Sequence, residues 1–71
     1  MTFRYADLTR GFVETLAISE VFLGKRLANF LSRKLKRKIS VFKAASLLDA
    51  AEECISLGPD SRGRRQWKRV L

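Results

Sequence analysis

At 71 residues the chain is sized for one small domain, with a hydrophobic core near the lower limit of what folds unaided. A hydrophobic content of 46% is enough to bury a core rather than remain disordered, and 15 Lys and Arg against 7 Asp and Glu leave a formal charge of +8. One cysteine and no histidine exclude an intrachain disulfide framework, the usual structural zinc site and histidine-based acid–base or triad chemistry.

The first structured segment predicted from spacing runs from Asp7, a possible N-cap, to Lys36. Leu8, Phe12, Leu16, Leu23, Leu27, Phe30 and Leu31 recur on one helical face, with Glu14, Lys25, Asn29 and Ser32 opposite. Ile18, Val21 and Phe22 lie off that stripe. Two readings are compatible with them. Either the helix breaks near Ser19 and a second helix starts from Glu20, or one long helix is buried on two sides. In the second case Ile18, Val21 and Phe22 form an interface for a second copy or another protein. In the first, the pair resembles a weak helix-turn-helix, with Lys25, Arg26, Asn29 and Arg33 presented by its second helix. Against that, Gly24 falls inside that helix instead of in the turn.

The next segment, Ser40 to Leu57, reads as the most secure helix. Ser40 caps it, Val41, Ala44, Leu48, Ala51 and Ile55 line one face, and Gly58-Pro59 stops it. Cys54 beside that stripe reads as a buried structural thiol. The tail from Asp60 to Leu71 reads as a flexible arm or a short last helix. Period-2 alternation is absent and β-branched residues are few, so no strand is expected. The fold class that follows is all-α, a small bundle of two to four helices, completed in one version by homodimerisation.

Charge is arranged in blocks. Residues 33 to 43 carry six bases and no acid, residues 44 to 60 four acids and no base, and residues 61 to 71 five bases and no acid. The first basic block holds Arg33, Lys34, Lys36, Arg37 and Lys38. A helix C-terminus accounts for one or two cations by its dipole, not for five. The second holds Arg62, Arg64, Arg65, Lys68 and Arg69 around Trp67, whose ring either stacks on an unpaired base or packs down as a core lid. The acidic residues Asp49, Glu52 and Glu53 are expected to pair with a basic block. No nucleophile–base pair, Gly-rich phosphate loop or metal cluster accompanies them, so neither catalysis nor a metal or cofactor is expected.

The partner this pattern favours is a nucleic acid, DNA or RNA, held by its phosphates. Lys25, Arg26 and Trp67 join the two blocks as candidate contacts. Two alternatives stand beside it: a protein–protein adaptor or small subunit, and a binder of anionic membrane surfaces. The apolar runs fall short of the roughly 18 residues of a membrane span, and Arg4, Asp7, Arg10 and Glu14 occupy the place of a secretory apolar region. With the lone cysteine, this suggests a reducing, cytoplasmic setting.

Overall fold

A computed structural model describes residues 4–71. In chain order the elements are α1 (Tyr5–Glu14), β1 (Val21–Leu23), α2 (Gly24–Leu35), α3 (Val41–Ala50), β2 (Cys54–Pro59) and β3 (Arg65–Arg69). The strands form one antiparallel sheet in the order β1-β3-β2. The protein is therefore mixed α and β. The expected all-α helical bundle is overturned by this sheet, which is built from segments assigned above to helix or to a free tail.

The break in the first segment is real but differently placed. The helix α1 ends at Glu14, Ser19 takes a left-handed φ of 68°, and the chain re-enters extended at Val21. Phe22 thereby turns inward, packing edge-on against Phe12 at 5.6 Å between ring centroids. Of the off-stripe residues, Ile18 lies in the turn before β1, while Val21 and Phe22 enter the strand with Leu23: Val21 exposed, Phe22 buried, Leu23 half-buried. A three-residue strand is too short for period-2 alternation to register.

Gly24 is the first residue of α2, not an interior one. A Cβ there would sit 3.1 Å from the indole ring of Trp67 and 3.7 Å from Val41. The missing side chain is what lets β3 lie close to α2. At the other end Lys36 closes the helix in the left-handed conformation, φ 53°. Ser32 then fixes the exit. Its hydroxyl donates to the Ala28 carbonyl at 2.7 Å and accepts from the Ile39 amide at 3.0 Å, which brings Ile39 into the core.

The helix α3 starts where expected, the Ser40 hydroxyl accepting from the Lys43 amide at 3.1 Å. It ends at Ala50 because Ala51 is extended, φ −83° and ψ 133°. The expected helix to Leu57 is thus corrected: Cys54–Pro59 is strand β2. Pairing with β3 overrides the helical preference of the Ala- and Glu-rich run before it. The expected arm or helix at the tail is corrected likewise, since β3 is the central strand. The five residues between β2 and β3 form a tight turn, a three-residue loop, Ser61 to Gly63, closed by Asp60 and Arg64. The Gly63 amide donates to the Asp60 carbonyl at 3.0 Å, the Asp60 amide donates to the Arg64 carbonyl at 2.7 Å, and Gly63 has φ 78°.

The core lies between the sheet and the three helices. Phe12, Val13, Leu16, Phe22, Leu27, Ala28, Leu31, Ile39, Ala44, Leu48, Cys54 and Trp67 form one buried cluster. Trp67 is the largest fully buried side chain. Among the described residues no helix is long and apolar enough to cross a membrane.

Candidate nucleic-acid interface

The basic residues divide according to whether the fold uses them. Four arginines are committed to carboxylates: Arg10 to Glu53 at 3.1 Å, Arg26 to Glu20 at 3.0 Å, Arg64 to Asp60 at 3.2 Å and Arg65 to Asp49 at 2.8 Å. The acidic residues after Leu48 thus split between partners: Asp49 takes a cation of the second basic block, while Glu53 takes one of α1. Arg69 is also occupied, by the backbone carbonyls of Glu14, Leu16 and Leu71. It ties the end of β3 to the end of α1 and serves the fold. In each pair the arginine is exposed to solvent, which screens the attraction and leaves such ion pairs weak.

The run Arg33–Lys38 is different. Arg33, Lys34, Lys36, Arg37 and Lys38 are all exposed, and none has a carboxylate partner among the described residues. Leu35 and Ile39 anchor the run from below. Lys34 lies over the Phe30 ring at 5.7 Å, and Arg37 bonds the Tyr5 hydroxyl. Lys43 lies over the same Tyr5 ring at 4.6 Å. The result is a concentrated positive surface where α2 hands over to α3, fixed in place but not neutralised.

Other candidates are distributed around the molecule. Arg26, Asn29 and Arg33 share one face of α2, beside Phe12, Thr15 and Phe30 in a shallow pocket. Lys25 points elsewhere, into a groove lined also by Leu23, Val41, Phe42, Arg64 and Trp67. Arg62 is exposed at the hairpin tip without a carboxylate partner among the described residues. Lys68 is on the outer sheet face, level with Val21 and Ile55 of the neighbouring strands.

Trp67 is only 1% exposed, so its ring is a core lid and not a free stacking surface. The Arg65 guanidinium lies 4.8 Å from its ring centroid, held by both oxygens of Asp49 and by Ser56. The suggested interface trio is split in the same way. Ile18 and Val21 are exposed, whereas Phe22 is buried.

Two features of the surface escape sequence reasoning. Phe42 was placed on no face by the apolar stripe, yet it is the most exposed large hydrophobic residue described, at 90%. The other is Asp60, whose side chain accepts from the Arg62 and Arg64 amides at 2.8 and 2.9 Å and so shapes the hairpin tip. Those bonds, the Arg64 amide first, hold its carboxyl below the usual range against the opposing effect of burial. The Asp-x-x-Gly spacing of a type I turn was the available signal for that tip. Among the described residues no group of three or more potential metal ligands is found.

Comparison with known proteins finds no family model that matches the chain, no curated relative and no solved structure similar to it.

Proposed function

We propose that the protein is a nucleic-acid-binding module that grips the phosphate backbone. The observation that carries this reading is the run Arg33–Lys38: five exposed cations, fixed by Leu35 and Ile39 and left without carboxylates among the described residues, from the last turn of α2 into its connection to α3. The element order supports it. A helix, a turn and a second helix are followed by a β-hairpin whose tip carries Arg62, the layout of a helix-turn-helix with a wing.

The exposed side chains of α3 point to backbone binding rather than base reading. They are Val41, Phe42, Lys43, Ser46, Asp49 and Ala50. Asp49 is held by Arg65, and Lys43 lies over Tyr5. That leaves almost no donors of the Arg, Asn or Gln type that distinguish base pairs in a major groove. Affinity therefore comes from counterion release and varies little with sequence.

Gel shifts with duplex DNA, single-stranded DNA and RNA at several salt concentrations test this. If the five cations of the run and Arg62 neutralise about six phosphates of a duplex, log K falls against log salt with a slope near about −5. Replacing Lys34, Lys36 and Lys38 together by Glu, all at exposed positions, weakens binding at every sequence and flattens the slope. No binding at low salt, or a slope near zero in the unaltered protein, overturns the reading.

A further inference from the structure

The groove between the first turns of α2 and α3 and the hairpin tip has a volume of about 460 Å³, within the range of about 300–1,000 Å³ common to small-ligand sites. Its walls are mainly apolar, from Leu23, Val41, Phe42, Ala45 and Trp67. Its charged lining is wholly cationic: Lys25, Arg64 and Arg65, with no carboxylate among the lining residues. Arg64 uses its Nε on Asp60, and its terminal nitrogens have no acceptor among the described residues. Lys25 is exposed and has no carboxylate partner among them either. The groove thus combines an aromatic ring open to solvent, a guanidinium held in place over Trp67 and, among the described residues, one unpaired cation in Lys25 and the free terminal nitrogens of Arg64.

We propose that this groove receives one unpaired nucleobase of a bound strand, stacked on Phe42, with Lys25 and Arg64 on the flanking phosphates. The inference rests on the nucleic-acid reading above and narrows it to a strand with exposed base faces. Lys25 and the terminal nitrogens of Arg64, unpaired among the described residues, favour an occupant that carries negative charge. The open Phe42 ring and the Arg65 guanidinium select one with a planar π face. A nucleotide has both. Bases inside a duplex are stacked on each other, so only a single strand or an extruded base offers a free face.

The test is fluorescence anisotropy with four labelled probes of equal charge: oligothymidylate, oligouridylate, an abasic deoxyribose-phosphate strand and a duplex. The unaltered protein binds oligothymidylate about tenfold more tightly than the abasic strand, the effect expected of one stacked base. Phe42→Ala, at a position too exposed to matter for folding, removes that difference and leaves duplex affinity and its salt slope unchanged. Lys25→Gln weakens all single strands, abasic included. The two oligonucleotides with bases show whether the strand is DNA or RNA. Equal affinity for abasic and base-bearing strands overturns the groove proposal while leaving phosphate binding intact, as does a preference that survives in Phe42→Ala. Phe42-dependent binding of a Glu-rich peptide with a single Trp, without any base preference, overturns it in favour of protein docking. Failure to bind any of the probes removes the nucleic-acid reading and this inference together.

Discussion

Cys54 shows how a single side chain is disarmed by its surroundings. The thiol is buried and donates to the Leu48 carbonyl at 3.6 Å. Burial pushes its pKa up, and the nearby charges of Glu53 and Asp49 push the same way. The reactive thiolate is therefore scarce as well as shielded. Alkylation with iodoacetamide at mildly alkaline pH is expected to run more than about tenfold slower in the folded protein than in urea. Equal rates in the two states would show an accessible thiol. The buried role of Cys54 was legible in the sequence, because a small apolar residue beside an apolar stripe packs the same way on a strand as on a helix. The place of Phe42 was not. Its burial depends on whether another element lies over the first turn of α3, and spacing along one helix carries no information about its neighbours.

At the scale of elements, the glycines separate turn from helix. Gly63 has φ 78° with open space around the position of a Cβ, so a substitution there is strained in the backbone alone. Gly63→Ala is expected to cost about 1–2 kcal/mol, and Gly63→Asn less, because Asn tolerates the left-handed region. Gly11, exposed within α1 and also in open space, behaves oppositely. Gly11→Ala is expected to stabilise the protein by about 0.5–1 kcal/mol. Urea midpoints of the three variants check both signs, and a neutral Gly63→Ala would show that the tight hairpin tip is absent. Helix within Asp7 to Lys36 was legible from apolar spacing, though not whether it was one helix or two, and the start of α3 was legible from Ser40 as a cap. The strands were not, for a physical reason. β2 alternates only briefly, with Cys54 buried and Ile55 exposed before the register slips between Ser56 and Gly58. β3 is mostly polar and owes its position to one residue, Trp67. Strands held by one anchor and by backbone pairing leave little pattern to read.

At the scale of the molecule, stability rests on one small core. Leu27 and Leu48 are almost fully buried and come from different helices. Truncation of either to Ala is expected to cost about 2–4 kcal/mol. That is a large part of the total for a chain of this length, at about 0.05–0.15 kcal/mol per residue. Loss of a cooperative melt, or a midpoint far below that of the unaltered protein, is the expected result. Both variants melting near the original midpoint would show a different core. The residues of this core were legible in part: Leu16, Leu27, Leu31, Ala44 and Leu48 are buried as their spacing implies, whereas Val41 and Ile55, expected on the same face as Ala44 and Leu48, are exposed, and Val13, Phe22, Ala28 and Ile39 joined the core from off the stripes. The grouping of the cations was legible only in part. The run Arg33–Lys38 stayed together, whereas the block after Asp60 was divided among Asp49, Asp60 and the backbone by strand pairing that the sequence does not announce.

The strand order has a consequence for how the molecule comes into being. β3 lies between β1 and β2, which touch each other nowhere in the sheet. Two strands made earlier in synthesis therefore wait for a third that leaves the ribosome after both. Until Arg65–Arg69 emerges, Phe22 and Cys54 have no sheet to belong to, and Trp67, the largest piece of the core, is still missing. The helices can form as the chain appears, but the finished fold cannot be assembled piecemeal from the N-terminus. Both ladders of the sheet depend on β3, so neither can form before that strand is available.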